Sequence, residues 1–334
     1  MLIIKYINLN NIIDLVGGLV KMKSNKKIMY STLVFLGLIS ACLSGCIDDT
    51  STGKIGLLVT IVPQAEMVEN IGGELVDVTI MVPLGESPHS FEPTPEQMTK
   101  VAQATAYFKV GSGVEFEITH MDTMLEQNSD LQIFNCSENI TIVSFDDHYG
   151  KETHLEGEEE HDHEEDHDHD HGGTDPHIWT SPVNFKKMSE VVYNGMIDID
   201  PDNQEEYYLN YQGYISELEN LHTNISDLLQ PYEDKSFMVY HPAWGYFGDT
   251  YNLKMIAIEE EGKQPGPTGI ASIITQVKDE NITVIFVSPQ FDTTSAETIA
   301  NEIDGSVVFA NPLMTNYEET ITKLAVDMVT GFEK

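Results

Sequence analysis

Histidine and carboxylate side chains are concentrated in one segment of the chain. The stretch "HLEGEEEHDHEEDHDHDHGG", residues 154–173, contains a single large apolar residue, Leu155. Its six histidines are His154, His161, His163, His167, His169 and His171. Closely spaced imidazoles and carboxylates chelate divalent metals at neutral pH whether or not the chain is ordered. The run therefore predicts weak, exchangeable metal binding.

Three of the histidines outside this run have a proline next to them. His89 lies in "GESPHSFEPTP", His177 in "TDPHIWTSP" and His241 in "FMVYHPAWGYF". Proline restricts the local backbone and lowers the entropy cost of holding an imidazole in one place. A single histidine in such a setting is often only a hydrogen-bonded structural residue. Three in the same setting predict one shared metal site.

The segments around these histidines predict an α/β fold. A βαβ unit is predicted from three features in order: alternating apolar residues over 75–82, a helix start at Thr94-Pro95-Glu96 and the strand "AYFKVG". "LQIFNC" and "ITIVSF" predict two more short strands. A helix is predicted to begin near Pro182, and the 3.6-residue apolar period over Asp202–Gln230 predicts one long helix of about 28 residues, about 42 Å. Further strand–helix alternation predicts a second lobe with a mainly parallel sheet, whose functional loops lie at the strand carboxyl ends.

The beginning of the chain has the pattern of an export signal. A basic stretch follows Met22, an apolar stretch spans residues 29–43, and "LSGC" ends at Cys46. This tetrapeptide resembles a lipobox, which implies that Cys46 becomes the lipidated first residue of an exported protein. Residues 1–21 are then an upstream extension. The alternative is a retained anchor, but a helix over residues 29–45 is about 25 Å long, shorter than a hydrocarbon core of about 30 Å.

Composition excludes one class of partner and one kind of crosslink. The formal net charge is -38, and all 17 basic residues are lysines, so nucleic acid is not an expected partner. With Cys42 removed and Cys46 lipidated, Cys136 is the remaining cysteine and no internal disulfide is expected.

Several stretches together resemble a known family. "LGESPHSFEPTPEQM", "TDPHIWTSPVN", "YHPAWGYFGDTYNL" and "EEGKQPGPTG" are similar, in this order, to the zinc- and manganese-type substrate-binding proteins of ABC importers. The similarity spans roughly residues 55–332. It implies two α/β lobes joined by one long backbone helix, with a metal in the interlobe cleft held by His89, His177 and His241. It also implies an extracytoplasmic, lipid-anchored monomer that works with an ABC permease and its ATPase.

The resemblance predicts the following organisation. Residues 22–45 form the lipoprotein signal peptide, 46–54 a tether, 55–181 the N-terminal lobe with the histidine-rich acidic loop at 151–173, 182–231 the linking helices, and 232–334 the C-terminal lobe.

The ligand set favours zinc as the transported ion. Manganese-type members have a carboxylate where this chain has His241, and an aspartate where it has Asn311. Three imidazoles suit Zn²⁺, whereas Mn²⁺ favours carboxylate and water. The fourth position is open to Asn311, Glu92, a water molecule or the histidine-rich run, with the last two favoured.

Other functions are compatible with parts of the sequence. "HEEDH", His163 to His167, matches the H-E-x-x-H pattern of zinc proteases, but its neighbours offer no apolar helix face, so we do not expect an enzyme. The run is instead expected to collect zinc for the cleft or to sense its abundance. A manganese or iron receptor, and a metal-storage or adhesin lipoprotein, are the alternatives.

Overall fold

The computed structural model describes residues 53–145, 173–259 and 264–334. Residues 54–334 belong to one unit. The predicted upstream extension, the signal peptide, Cys46 and the six histidines of the run lie outside the described residues. The domain boundaries proposed above remain predictions.

A four-stranded parallel sheet forms the first lobe, in the order β2-β1-β3-β4. Its strands are β1 (Ile55–Ile61), β2 (Val76–Val82), β3 (Ala106–Lys109) and β4 (Gln132–Asn135), and its helices are α1 (Val62–Gly72), α2 (Pro95–Val101) and α3 (Glu115–Gln127). β1 reads as a nearly continuous apolar run because it is buried on both faces, as central strands of parallel sheets are. All four strands end at one edge of the sheet, where the connecting loops can meet.

A reciprocal cap fixes the start of α2. The Thr94 hydroxyl accepts from the backbone N–H of Gln97, and the Gln97 side chain accepts from the N–H of Thr94. The Gln97 amide also donates to the carbonyls of Ile80 and Met81 at the end of β2. Both ends of the loop over residues 83–94, which carries His89, are therefore tied to the same side chain.

Two helices link the lobes. They are α4 (Pro182–Ile199), capped by Ser181, and α5 (Gln204–Leu229), and they pack against each other. α5 has 26 residues, about 39 Å, and lies between short 3₁₀ turns at Pro201–Asn203 and Gln230–Tyr232. The predicted helix start at Pro182 and the predicted long helix are both confirmed.

The second lobe repeats the first. Its parallel sheet has the order β6-β5-β7-β8. The strands are β5 (Ser236–Val239), β6 (Lys254–Ala257), β7 (Val284–Val287) and β8 (Ser306–Phe309), and the helices are α6 (Gly245–Thr250), α7 (Pro267–Asp279), α8 (Thr294–Glu302) and α9 (Tyr317–Phe332). The predicted class, two α/β lobes with parallel sheets and a long joining helix, is confirmed.

Aromatic packing joins the linking segment to the second lobe. The rings of Phe185 and Tyr317 stack with centroids 3.8 Å apart, and the Tyr317 hydroxyl donates to the carbonyl of Trp179. The Trp179 indole N–H donates to the carbonyl of Pro312. All three rings are buried, so truncating any of them would leave a large cavity. These contacts fix where the loop bearing His177 meets the second lobe.

One predicted strand is wrong. "ITIVSF", residues 140–145, adds no strand to the first sheet. Its end pairs with the segment before His177 instead, through an isolated antiparallel bridge between Ser144 and Thr174 and a hydrogen bond from the N–H of Asp175 to the carbonyl of Val143. An alternation of apolar residues indicates which face of a strand is buried. It does not indicate which segment of the backbone pairs with that strand.

Within the three described ranges, none of the helices is both long enough and apolar enough to cross a bilayer.

Candidate metal centre

Three loops bring the three predicted histidines together. His89 lies in the loop between β2 and α2, His177 precedes a 3₁₀ turn at Ile178–Thr180, and His241 follows β5. The candidate ligand atoms of the three side chains all lie within 4.8 Å of one another. Parallel sheets place binding groups at the carboxyl ends of their strands, and His89 and His241 follow this rule in the first and second lobe respectively.

The distance between two of these imidazoles suits a shared ion. The Nε2 atoms of His177 and His241 are 3.3 Å apart. Two ligands of a tetrahedral zinc ion, each about 2.0 to 2.1 Å from the metal, are themselves about 3.3 Å apart. The two nitrogen atoms are therefore spaced as two corners of a zinc coordination tetrahedron would be.

Each of the three imidazoles has a carboxylate at its other ring nitrogen. The Nδ1 atom lies 2.7 Å from Glu115 Oε2 in His89, and 2.7 Å from Asp175 Oδ1 in His177. In His241, Nδ1 lies 3.3 Å from Glu259 Oε1. A carboxylate at Nδ1 holds the proton there, orients the ring and leaves the Nε2 lone pair for a metal.

The carboxylates are themselves held by the fold. Asp175 is fully buried, and its Oδ1 also accepts from the backbone N–H of His177 at 2.8 Å. Glu115 is in the first turn of α3, next to Phe116, whose N–H donates to the carbonyl of Pro88 at 3.0 Å. The start of α3 thus fixes both the backbone and the ring of the His89 loop.

Two further hydrogen bonds set the backbone around His177 and His241. The Ser112 hydroxyl donates to the carbonyl of Pro176 at 2.5 Å, which ties the loop after β3 to the residue before His177. The backbone N–H of Glu259 donates to the carbonyl of Tyr240, so the end of β6 is fastened beside His241.

Electrostatics favour a neutral imidazole at His241 and an ionised carboxylate at Glu115. Burial lowers the pKa of His241, and the nearby His177 and His89 lower it further, against the opposing effect of Glu259. The imidazole is thus neutral and able to bind a cation at neutral pH. Burial raises the pKa of Glu115, but the hydrogen bond and charge of His89 outweigh this, so the pKa of Glu115 lies below its usual value.

Aromatic rings line the cleft beside the imidazoles. The Trp179 ring meets His177 edge-on with centroids 5.3 Å apart, and the Phe291 ring stacks on His241 at 4.8 Å. The cleft is lined also by Ser288, Gln290 and Leu313. Such walls limit the room for water around a bound ion.

The two side chains predicted as possible fourth ligands have other partners. Asn311 Oδ1 accepts from the N–H of Leu313 and from Gln290 Nε2, while Asn311 Nδ2 donates to the Leu313 carbonyl. Glu92 Oε2 is 3.7 Å from His120 Nε2, and the Glu92 side chain is 82% exposed. Water and the histidine-rich run stay open as predictions.

Neither the three carboxylates at the Nδ1 atoms nor Gln290 was predicted as a site residue from the sequence. Asp175 stands two residues before His177, so its spacing offered a local signal. Glu115 and Glu259 are 26 and 18 residues from the histidines they contact, and no local pattern connects them.

Two parallel-sheet lobes, a long joining helix and three convergent imidazoles define a two-lobed metal-binding protein. Residues 57–331 match the family described as ZnuA, zinc-uptake complex component A, periplasmic, and the chain belongs to this family. Its members are substrate-binding components of ABC importers, so the expected family is confirmed, and with it the expectation that the chain is not an enzyme.

Named relatives include proteins for two metals. The manganese-binding lipoprotein MntA of Halalkalibacterium halodurans is 27% identical over 300 residues, covering 87% of this chain and 90% of that protein. The high-affinity zinc uptake system protein ZnuA of Bacillus subtilis is 29% identical over 267 residues, covering 79% and 80%. Among solved structures, one of ZnuA superposes with a TM-score of 0.73 and 30% identity, covering 83% of this chain and 99% of the other. A zinc-bound deletion mutant of ZnuA gives 0.72 and 30%, covering 83% and 98%.

Proposed function

We propose that this protein captures Zn²⁺ outside the cytoplasm, through His89, His177 and His241, and delivers it to an ABC permease powered by its ATPase. The observation that carries the proposal is the 3.3 Å separation of the His177 and His241 Nε2 atoms, with His89 in reach and a carboxylate at each Nδ1. This arrangement offers three imidazole nitrogens to one ion.

The preference for zinc over manganese follows from the donor atoms. Manganese favours carboxylate oxygen and water, whereas imidazole suits zinc. The three nearby carboxylates, Glu115, Asp175 and Glu259, contact Nδ1 atoms and so act on the imidazoles. Relatives named for zinc and for manganese both occur, so the manganese receptor is the alternative that a competition experiment must exclude.

Capture and release both depend on the two lobes. His89 and His177 come from the first lobe and the segment that follows it, and His241 comes from the second. Coordination bonds are short, so separating the lobes by an ångström or more breaks the site. A permease that separates the lobes on docking would release the ion.

Two accessory features complete the proposal. The histidine-rich run, whose last histidine is six positions before His177 in the sequence, gathers zinc for the cleft, because a short tether gives its ligands a high effective concentration. Lipidation of Cys46 keeps the protein at the membrane beside its permease. Several relatives are named as lipoproteins, which supports this anchor. Mass spectrometry of the extracted protein should find a chain that begins at a lipid-modified Cys46.

The test is a titration of the metal-free protein with Zn²⁺ and Mn²⁺, each in competition with a chelator of known affinity. We expect one tight Zn²⁺ site per chain, weaker additional Zn²⁺ sites and much weaker binding of Mn²⁺. Tighter binding of Mn²⁺ would support the manganese receptor. Many weak sites without a tight one would support a storage or adhesin lipoprotein.

A further inference from the structure

Gln290 is a polar residue in the cleft that the three-histidine site does not use. It follows β7, which pairs with β5, the strand that leads to His241. Its side chain lines the same cleft as His89, His177 and His241. The topology therefore places an amide at the carboxyl edge of the second sheet, beside the metal centre.

The orientation of the neighbouring Asn311 amide is fixed by backbone groups. The N–H of Leu313 donates to Asn311 Oδ1 at 3.0 Å, and the Leu313 carbonyl accepts from Asn311 Nδ2 at 3.2 Å. A backbone N–H can only donate and a carbonyl can only accept, so exchanging the oxygen and nitrogen of Asn311 would break both bonds. Asn311 Oδ1 is thus the atom that faces Gln290.

The orientation of the Asn311 amide in turn fixes the orientation of the Gln290 amide. Its Nε2 donates to Asn311 Oδ1 at 3.0 Å, and the reverse orientation would set two oxygens against each other. The remaining atom, Gln290 Oε1, is buried and has no hydrogen-bond partner among the residues that the structure describes. Leaving a buried acceptor unpaired is costly, and such an atom in a native protein calls for a donor that arrives from elsewhere.

We propose that Gln290 Oε1 accepts a hydrogen bond from a water molecule that occupies the fourth coordination position of the bound metal. This inference rests on the proposed function, because three imidazoles leave one tetrahedral position of zinc open. A metal polarises the O–H bonds of its water and makes them strong donors. The Asn311 side chain holds Gln290 in place and so acts on the water through it. The cleft then completes the coordination of the metal without a ligand from the histidine-rich run.

The hydrogen bond also predicts how the site treats anions. An anion such as thiocyanate can displace a metal-bound water, but it has no proton to donate to Gln290 Oε1. The unpaired oxygen would then face a negative charge. Gln290 is therefore expected to favour water and to oppose anions in the fourth position, an effect that simple filling of space would not produce.

The experiment compares the full mature protein with the Gln290→Met variant, which keeps the side-chain length but removes the polar atoms. Gln212→Met, at an exposed position of α5, is the control. Zn²⁺ affinity is measured by chelator competition, and thiocyanate binding by the visible spectrum of the Co²⁺-loaded protein. We expect Gln290→Met to weaken Zn²⁺ binding by about tenfold and to tighten thiocyanate binding by a similar factor, and Gln212→Met to change neither. Gln290→Leu serves in the same way if the methionine variant does not fold.

Three results would overturn the inference. One is a Gln290 variant that matches the wild type in both zinc and thiocyanate binding. Another is a zinc-loaded structure with Gln290 Oε1 bonded directly to the ion. The third is loss of the Gln290 effect when residues 152–171 are deleted, since the run would then hold the fourth position. His241→Ala is measured in parallel: if it abolishes tight zinc binding while Gln290→Met has no effect, only this inference fails, and if it too has no effect, the proposed function fails.

Discussion

The Nε2 atoms of His177 and His241 lie 3.3 Å apart although 64 residues separate the two histidines. This distance is about the edge of a zinc coordination tetrahedron. Since the candidate ligand atoms of the three histidines all lie within 4.8 Å of one another, a small shift of His89 would bring it to the third corner. A metal site at these histidines would thus be largely formed before an ion arrives, which would lower the cost of ordering its ligands.

Removing one imidazole should abolish tight binding. We expect His241→Ala to weaken Zn²⁺ affinity by more than about 100-fold, because even residues that only support metal ligands contribute about 10- to 100-fold. Chelator competition measures the affinity, and far-ultraviolet circular dichroism checks the fold. His222→Ala is the matched control, since His222 is half-buried on α5 and contacts Tyr251 outside the cleft. Equal zinc affinity in the two variants would contradict the assignment of the cleft.

Removing a carboxylate at Nδ1 should weaken zinc binding measurably, but less than removing an imidazole does. Glu115→Ala removes the acceptor for His89 Nδ1 and should weaken zinc binding by about tenfold. Glu115→Gln, which keeps an acceptor oxygen, should fall between this variant and the wild type. The control is Glu126→Ala, exposed on the same helix. If Glu115→Ala binds zinc as tightly as the control, the carboxylate does not orient His89.

Deleting the histidine-rich run should separate collection from tight binding. A variant lacking residues 152–171 is expected to keep one tight zinc site and to lose the weaker ones, because the three cleft histidines remain. Isothermal titration gives the stoichiometry and affinity of both classes. Loss of the tight site would show that the run supplies an essential ligand.

The side chain of Glu66 should make the stability of the protein depend on pH, and this effect does not involve the metal site. This carboxyl group, on α1, accepts from the N–H of Tyr317 at the start of α9. Burial raises its pKa above the ordinary value of 4.5, as do the nearby Glu69, Glu217 and Glu318, against the effect of the hydrogen bond. Since the folded protein holds the proton more tightly, the stability that this group contributes at low pH is lost as the pH rises through its folded pKa.

The variant Glu66→Gln removes this loss, because its amide stays neutral and its oxygen can still accept from Tyr317. The free energy of unfolding of Glu66→Gln, relative to the wild type, should therefore increase from pH 4.5 to pH 7. Urea denaturation of the metal-free protein at both values measures it, with the exposed Glu302→Gln as control. A difference that is constant or decreases with pH would contradict the assignment.

Much of the fold could be predicted because its signals are local. Apolar alternation identified β2, and the helical period between Pro201 and Pro231 identified α5 within two residues of each end. The segment over residues 140–145 was assigned wrongly, since its partners, Thr174 and Asp175, lie beyond the histidine-rich run. α3 was not predicted, because its few apolar residues are interspersed with charges and do not form a clear stripe.

Only part of the candidate site could be predicted, because some of its contacts join residues that are far apart in the sequence. Each of the three histidines has a proline beside it, a signal within one or two residues. Glu115 and Glu259 reach them only through the packing of α3 and the end of β6. The role suggested for Gln290 depends on Leu313, which orients Asn311 from the loop after β8, and no sequence pattern reports such a chain of contacts.

The most direct test of the account is anomalous diffraction at the zinc absorption edge from crystals of the zinc-loaded protein. The account predicts one strong peak in the cleft, about 2.0 to 2.1 Å from the Nε2 atoms of His89, His177 and His241. A strong peak at any other place, or one bonded to fewer than these three imidazoles, would contradict it.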